Sequence, residues 1–352
     1  MFKIGIICPS EIAFRRFLPS LRNVKEFAFA GVAVASPAEW AGKAAVTDET
    51  LAVLENERGK AQKFTDAYGG KIFEGYETMI TSDEIDAVYI PLPPALHFEW
   101  TKRALENGKN AYVEKPFTTD LTDTRQLLRM AREKNLAVHE NYMFVYHNQL
   151  KAIDALIASG EIGRVRSYRI SFGFPRRAPG DFRYDKRLGG GALFDAGGYC
   201  MKYAGHLLGD SARLVCADSC RDTVSEVDIF GSAMMVNDEG TVVQLAFGMD
   251  NDYKCELEAW GSEGTLSTGR ILTAPDGLEP DMVIKHNREY TTAKLPADNA
   301  FEKSIRRFHE CLTDETSKRD NYREIERQAA FVNEFIKLSG MRTRRLRKGQ
   351  PA

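Results

Sequence analysis

The sequence has no long apolar run and no strong charge imbalance. No stretch approaches the ~20 consecutive apolar residues that a membrane-spanning helix requires, and the N-terminus lacks a signal-peptide cleavage pattern. The 48 Lys and Arg residues against 50 Asp and Glu give a formal net charge of −2, which predicts no general attraction to nucleic acid or to anionic membranes. We therefore expect a cytoplasmic protein with neither a membrane nor a nucleic acid as partner.

Cysteine is scarce and scattered. The six cysteines among 352 residues form no C-x-x-C pair, and cysteines of this kind in a large chain are mostly small buried hydrophobes that stay reduced. The sequence therefore predicts no structural disulfide and no metal site. Its length corresponds to about two domains at ~150 residues each.

The first half of the chain alternates short apolar strands with helices. This alternation indicates an α/β fold with a doubly wound parallel sheet, and we expect a dinucleotide-binding Rossmann domain over residues 1–142. The main predicted strands are Lys3–Ile7, Phe27–Ala35, Lys71–Phe73, Ile85–Ile90, Ala111–Val113 and Ala137–Tyr142.

The glycine-rich turn that usually follows the first strand of such a domain is missing. The fingerprint G-x-G-x-x-G/A lets the backbone approach a pyrophosphate, whereas this chain has Cys8-Pro-Ser10-Glu11-Ile12-Ala13, in which only Ala13 fits. Ser10 can cap the following helix and bond a phosphate oxygen. Glu11, however, brings a carboxylate into the turn that should receive an anion. Cys8, Ser10, Glu11 and Ile12 are nevertheless the expected cofactor contacts of this turn.

Four later residues are also expected to contact the cofactor. Ser36 ends the second strand, where an Asp or Glu binds the ribose in NAD-preferring folds. Because Ser36 is uncharged, it would not repel a 2′-phosphate, which favours NADP over NAD, although no Arg immediately follows it. Pro91, Leu92 and His97 follow the fourth strand, where the middle of a cofactor would lie. A structural role at a helix start is the alternative for His97.

The fifth strand leads into Glu114-Lys115-Pro116. Ligands of open parallel sheets bind outside the carboxyl ends of the strands, so we expect Glu114 and Lys115 to contact the cofactor and Lys115 also to face the substrate. Its ammonium can donate to a substrate oxygen or orient a phosphate, and Glu114 beside it can hold its position. A surface salt bridge at a turn is the alternative for this triplet taken alone.

From residue 143 the pattern changes to strands that follow one another. Such runs indicate an α+β domain with a mainly antiparallel sheet, expected over residues 143–340. Helices would cover one face of the sheet, and the open face predicts a homodimer or homotetramer. Residues 341–352 form a basic tail, for which a solvated terminus is favoured over nucleic-acid binding.

A second set of candidate site residues lies in this half. Arg176 and Arg183, in a basic loop over residues 175–187, suit a carboxylate or a phosphate. After Gly189-Gly-Gly191, Asp195 and Tyr199 are four residues apart in a predicted helix and share a face. A carboxylate and a phenol, together with a lysine, can transfer protons. The alternative is a helix with ordinary buried polar groups.

These stretches together resemble the Gfo/Idh/MocA family of oxidoreductases. The N-terminal Lys-Ile-Gly-Ile-Ile strand, Glu114-Lys-Pro116 and Gly189-Gly-Gly-Ala-Leu-Phe-Asp195-x-x-x-Tyr199 occur in the family's order and spacing over nearly the whole chain. The resemblance implies a Rossmann domain plus an open-faced α/β domain, often dimeric or tetrameric. It also implies hydride transfer between NAD or NADP and a hydroxyl or carbonyl carbon of a sugar, sugar derivative or cyclic polyol.

The resemblance also assigns roles to the candidate residues. Lys115 would bind the reacting hydroxyl and help to position the nicotinamide, Tyr199 would be the acid/base, and Asp195 would lie beside the substrate hydroxyls. A phenol with an ordinary pKa near ~10 needs a nearby cation at neutral pH, and Lys115 is the expected one.

Two other hypotheses are open, and the missing glycines support the first of them. One is a catalytically silent regulatory protein that senses a nucleotide or sugar on the same fold. The other is an enzyme that keeps its cofactor bound and cycles hydride between two substrates. The joint presence of Lys115, Asp195 and Tyr199 favours the enzyme.

Overall fold

A computed structural model describes residues 1–42, 44–178 and 180–344. Its strands are β1 (Phe2–Ile7), β2 (Phe27–Val34), β3 (Lys71–Glu74), β4 (Ala87–Ile90), β5 (Asn110–Glu114), β6 (Val138–Asn141), β7 (Val165–Gly173), β8 (Arg213–Asp222), β9 (Asp228–Val236), β10 (Val242–Gly248), β11 (Lys254–Gly261), β12 (Thr265–Gly269), β13 (Asp281–His286), β14 (Glu289–Lys294) and β15 (Gly340–Arg344). Its α-helices are α1 (Leu18–Leu21), α2 (Pro37–Ala41), α3 (Asp48–Tyr68), α4 (Tyr76–Ile80), α5 (His97–Glu106), α6 (Leu121–Glu133), α7 (Asn148–Ala158), α8 (Gly198–Leu208), α9 (Ala300–Thr313) and α10 (Glu315–Leu338). Within these described ranges, no helix is both long and apolar enough to cross a membrane.

The first of two compact units is built on a parallel sheet. It comprises Met1–Asn141 and Phe301–Glu326, and its six strands have the order β3-β2-β1-β4-β5-β6. The central strands are short, apolar and buried because helices cover both faces of such a sheet. The predicted doubly wound Rossmann architecture is confirmed, with the reversal of strand order between β1 and β4, where ligands of this fold bind.

Helix α9 and the first part of α10 belong to this unit, although the sequence analysis assigned residues 143–340 to the second domain. The apolar stripe of α9 packs on the parallel sheet: the ring centroid of Phe308 lies 5.8 Å from that of Phe27 and 5.5 Å from that of Tyr112. The predicted division into residues 1–142 and 143–340 is therefore corrected, because the sheet takes its cover from a distant part of the chain.

The second unit is built on a mixed sheet of nine strands. Within the described residues it comprises Tyr142–Ala300 and residues 327–344, and the strand order is β14-β13-β12-β11-β7-β10-β9-β8-β15. The pairs are antiparallel except β7 with β10 and β8 with β15. The predicted α+β domain with a mainly antiparallel sheet is confirmed.

The two faces of this sheet differ in exposure. Side chains of α7, α8 and the end of α10, among them Ile153, Tyr203 and Phe335, join the buried core on one face. On the other face, Phe230 and Trp260 are 39% and 58% exposed. The predicted open face is therefore present.

The expected basic tail, residues 341–352, begins inside a strand. Gly340–Arg344 is β15 and pairs in parallel with β8. Residues 345–352 of that expected tail lie outside the described residues.

Candidate active site

The turn after β1 keeps the conformation of a glycine turn without a glycine. Cys8 has a φ of 83°, in the left-handed region that glycine usually supplies. Ser10 Oγ accepts a hydrogen bond from the Ala13 backbone N–H at 3.3 Å, and the small Ala13 side chain is fully buried. A π-helical turn, Ala13–Phe17, continues the chain. The tight backbone path that the fingerprint glycines allow is thus present, so these residues fit a dinucleotide.

Neither of the two residues that departed most from the fingerprint places an unpaired charge in this turn. The Glu11 carboxylate is largely exposed and pairs with Arg15 at 3.3 Å. Burial raises the pKa of the Cys8 thiol to about 12, against a hydrogen bond with Tyr76 that lowers it. Cys8 is therefore neutral, and Glu11 has its own cation. Ile12 beside them is an exposed apolar side chain.

Ser36 caps the helix that follows β2. Its Oγ accepts from the Glu39 N–H at 3.3 Å, and Glu39 Oε2 accepts from the Ser36 N–H at 2.7 Å. The same carboxylate accepts from the N–H groups of Tyr76 at 3.0 Å and Glu77 at 2.8 Å. An acidic residue does lie near the end of β2, but backbone donors use both its oxygens. The S-x-x-E spacing of Ser36 and Glu39 is a capping-box signal that sequence reasoning missed.

His97 lies inside the protein. Its side chain is fully buried, with Nδ1 2.7 Å from the Pro116 carbonyl oxygen and Nε2 2.7 Å from the Leu92 carbonyl oxygen. The predicted cofactor contact by His97 is therefore corrected: both ring nitrogens already face backbone carbonyls. Pro91 and Leu92 are themselves buried at the end of β4.

The Glu114-Lys115-Pro116 triplet lies at the carboxyl end of β5, as expected. Glu114 Oε1 accepts from the Tyr89 hydroxyl and from Asn141 Nδ2, both at 2.7 Å. Lys115 is partly exposed, and the peptide bond from Lys115 to Pro116 is cis. Glu114 is thus held from inside the sheet, whereas Lys115 reaches the surface of the first unit.

In the second unit, Asp195 is paired with an arginine. Arg183 Nε donates to Asp195 Oδ2 at 2.5 Å, and Arg183 Nη1 donates to Asp181 at 3.1 Å. The side chains of Arg183 and Asp195 are only 23% and 13% exposed. The two aspartates raise the pKa of Arg183 against the opposing effect of burial. The guanidinium predicted to bind a substrate anion is therefore used to hold Asp195.

Tyr199 is set in an aromatic cluster. It is buried, and its ring centroid lies 5.1 Å from that of Tyr142, 5.6 Å from that of Phe144 and 5.4 Å from that of Phe172. Such contacts fix the ring more firmly than a mobile surface tyrosine. Asp195 and Tyr199 do not share one regular helix, because Leu193–Gly197 is a π-helical turn and α8 begins at Gly198. Turns of this kind are frequent at functional sites.

A buried aspartate supports the start of that π-helical turn. Asp228 Oδ2 accepts from the Leu193 N–H at 2.6 Å. Asp228 Oδ1 would lie 2.2 Å from a Cβ added to Gly191, whose φ is 123°. The glycine run thus allows the backbone to approach Asp228, which sequence reasoning did not identify.

Comparison with known families identifies both halves of the chain. Residues 14–142 match an oxidoreductase family with an NAD-binding Rossmann fold, GFO/IDH/MocA. Residues 150–267 match the C-terminal domain of the same family.

Individual relatives match over nearly the full length. A dTDP-3,4-didehydro-2,6-dideoxy-alpha-D-glucose 3-reductase from Actinomadura kijaniata is 34% identical over 94% of this chain and 93% of its own. A reductase of the same name from Streptomyces violaceoruber is 38% identical over 88% of this chain and 85% of its own.

Solved structures of a 3-ketoreductase from A. kijaniata also match. The complex with NADP and TDP-benzene has a TM-score of 0.87 and 33% identity, and the match covers 97% of this chain and 99% of that one. Two further structures are of variants, one with a tyrosine replaced by phenylalanine and one with a lysine replaced by alanine. The replaced lysine and tyrosine are separated by the same number of residues as Lys115 and Tyr199.

Proposed function

We propose that this chain, which belongs to the Gfo/Idh/MocA family of oxidoreductases, uses NADPH to reduce a keto group on a nucleotide-linked sugar. The predicted class, an NAD(P)-dependent enzyme acting on sugar carbonyl or hydroxyl groups, agrees with its relatives. The finer assignment rests above all on the shared spacing of the lysine and tyrosine replaced in the A. kijaniata reductase. The same relatives favour an enzyme over the silent regulatory protein.

The residues that hold the cofactor are those at the carboxyl ends of β1, β2 and β5. Cys8, Ser10 and Ile12 would hold the pyrophosphate, Ser36 would hold the ribose, and Lys115 would help to hold the nicotinamide. NADP is supported over NAD because Ser36 is uncharged and both carboxylate oxygens of Glu39 accept from backbone N–H groups. The bound reduced nicotinamide supplies the hydride.

Lys115 and Tyr199 act on the carbonyl oxygen. The Lys115 ammonium donates a hydrogen bond to this oxygen and draws electron density from the carbonyl carbon. As the carbon accepts the hydride, the Tyr199 phenol gives its proton to the oxygen, which remains bonded to that carbon as a hydroxyl group. The resulting phenolate then takes a proton from solvent.

The substrate groups away from the carbonyl have separate partners. Asp195, oriented by Arg183, accepts hydrogen bonds from sugar hydroxyls. Arg176 and Arg177 are exposed in the loop of the second unit and suit the diphosphate of a nucleotide-linked sugar. The loop therefore supports a nucleotide-linked sugar over a free one.

Calorimetry and kinetics test this function. Protein freed of any bound nucleotide is titrated with NADPH, NADP, NADH and NAD, and keto sugars are supplied with and without a dTDP group. We expect micromolar binding with a preference for NADPH. We also expect Lys115→Ala and Tyr199→Phe to lower kcat by ~100-fold or more, with NADPH binding retained in Tyr199→Phe. Lack of binding by all four nucleotides, or full activity in both variants, would refute the proposal.

The state of the protein as purified tests the third hypothesis. Absorbance of the reduced nicotinamide that persists through dialysis would indicate an enzyme that recycles a permanently bound cofactor. We propose instead a cofactor that exchanges freely, so we expect dialysed protein to lack this absorbance.

We further propose a cytoplasmic homodimer or homotetramer that associates through the open face of the nine-stranded sheet. Phe230 and Trp260 on that face support this assembly because large exposed apolar side chains on a flat sheet favour burial against a second copy.

A further inference from the structure

Buried polar side chains make hydrogen bonds to the residues on both sides of Lys115. Four of them make direct contacts to the segment Glu114–Phe117, and we call these four the anchoring residues: Tyr89 on β4, His97 on α5, and Glu140 and Asn141 on β6. All four are buried, and three of them are fully buried. Buried polar groups are costly unless they are hydrogen bonded, so this concentration at one turn calls for an explanation.

The carboxylate of Glu114 collects three donors. The Tyr89 hydroxyl and Asn141 Nδ2 each donate to Oε1 at 2.7 Å. The backbone N–H of Lys115 donates to the same side chain. Glu114 therefore ties the backbone of Lys115 to two neighbouring strands.

The orientation of Asn141 is itself fixed. Its Oδ1 accepts from the hydroxyls of Tyr112 at 2.7 Å and Ser304 at 2.9 Å. His139 Nε2 lies 2.9 Å from Ser304 Oγ and continues the network. Because two hydroxyls donate to the amide oxygen, the amide nitrogen must point at Glu114.

The far side of Lys115 is held as well. His97 Nδ1 lies 2.7 Å from the Pro116 carbonyl oxygen, and Glu140 Oε1 accepts from the Phe117 N–H at 2.8 Å. The chain is thus fixed immediately before and immediately after Lys115, while the Lys115 side chain itself is partly exposed.

We propose that Tyr89 and Asn141 are positioning residues that act through Glu114 to hold Lys115 against the reacting oxygen. This inference rests on the proposed function, since it takes Lys115 as the group that binds that oxygen. Neither residue needs to touch the substrate. Through their hydrogen bonds to Glu114, they fix the position of the Glu114–Lys115 pair and keep the Glu114 carboxylate ionised.

The network also makes a pH-dependent prediction. Burial raises the pKa of Glu114, and the donors Tyr89 and Asn141, together with Lys115, lower it. Among the described residues, the other titratable groups around this turn include His97, Glu140, Tyr112 and, through Ser304, His139. Burial lowers the pKa of His97 to about 4, so His97 stays neutral over the range of interest. Loss of the Tyr89 hydroxyl therefore moves the Glu114 pKa upward.

The test compares Tyr89→Phe with Tyr203→Phe. Tyr203 is a fully buried tyrosine of the second unit whose hydroxyl has no hydrogen-bond partner among the described residues, so its replacement controls for the loss of a buried hydroxyl. We expect Tyr89→Phe to lower kcat by about tenfold, with KM for NADPH little changed. We also expect the acid limb of the kcat profile to move to higher pH. Ser304→Ala, which removes one donor to Asn141, should have a smaller effect in the same direction.

Amide hydrogen exchange gives a readout that needs no turnover. In Tyr89→Phe the Lys115 amide should exchange about tenfold faster than in wild type, and Tyr203→Phe should leave it unchanged. Equal exchange in the two variants, or an unmoved acid limb, would overturn the positioning role. A wild type without reductase activity would refute the proposed function alone, because the exchange of the Lys115 amide would still report on the network.

Discussion

At the scale of single residues, the turn after β1 shows how a conformation can persist when its usual residue is lost. Cys8 holds a φ of 83°, which costs a residue with a Cβ about 1 kcal/mol. The Cys8 thiol is hydrogen bonded to the Tyr76 side chain. The missing glycines therefore change the side chains that line the turn, whereas the backbone conformation of the turn is kept.

This backbone conformation can be tested with two variants that both remove the thiol. Alanine is normally more stabilising than glycine, because glycine loses more conformational freedom on folding. At Cys8 we expect the reverse, with Cys8→Gly more stable than Cys8→Ala by about 1 kcal/mol. Denaturant unfolding measures the difference. A more stable alanine variant would show that residue 8 does not adopt the left-handed conformation.

The Arg183–Asp195 pair supplies a second prediction. Because both side chains are largely buried, Arg183→Met should leave the carboxylates of Asp195 and Asp181 without their cation and destabilise the protein by about 2 kcal/mol. Asp195→Asn should recover part of that loss in the double variant. A double-mutant cycle measured by unfolding and by KM for the sugar checks the coupling, which we expect to exceed about 1 kcal/mol. Additive effects would contradict the pairing.

At the scale of elements, two π-helical turns stand at the two candidate binding regions, Ala13–Phe17 after β1 and Leu193–Gly197 before α8. The sequence predicted helices at both places because apolar residues recur at helical spacing. It could not predict the wider turns, because a single inserted residue in the hydrogen-bond ladder leaves little trace in the apolar pattern. The i, i+4 argument for Asp195 and Tyr199 was therefore too simple.

The stability of the protein should depend on pH through Asp228, which accepts a hydrogen bond from the start of the second π-helical turn. Burial raises the pKa of Asp228 to about 6, from an ordinary value of 3.8. The folded state therefore binds more protons than the unfolded state between these values, and stability should fall as the pH rises from about 4 to about 6. We expect a loss of about 2 kcal/mol over this window.

The matched variant is Asp228→Asn, which keeps an oxygen for the Leu193 N–H and cannot ionise. Its stability should lack this component of the pH dependence, so that the difference from wild type grows between pH 4 and pH 6. Unfolding at a series of pH values measures it. Parallel curves for the two proteins would exclude Asp228 as the source.

At the scale of the whole molecule, the sequence predicted the Rossmann unit well because its strands and helices alternate locally. The position of Lys115 at a strand end followed from the same pattern. Residues 301–326 were misassigned, because an amphipathic stripe shows that α9 needs an apolar surface but not which one. The pairing of Arg183 with Asp195 was missed for a similar reason, since a loop that folds back has no periodicity.

The open face of the nine-stranded sheet gives the prediction for assembly. A charge at Trp260, which is 58% exposed on that face, should be incompatible with burial against a second copy. We expect wild type to be a dimer or tetramer by light scattering and Trp260→Glu to be smaller. Trp40→Glu, at an exposed tryptophan of the first unit, is the control and should keep the wild-type mass. A monomeric wild type would contradict the proposed assembly.

The return of residues 301–326 to the first unit means that no single cut in the gene separates the two halves of this protein. A fragment that stops at Asn141 would lack Ser304, which accepts a hydrogen bond from the Tyr112 hydroxyl, and Phe308, which packs against the Tyr112 ring. Recombination between relatives that exchanged only the N-terminal half would split the same packing between two parents. The cofactor-binding unit can therefore be inherited intact only together with a segment encoded far downstream of it.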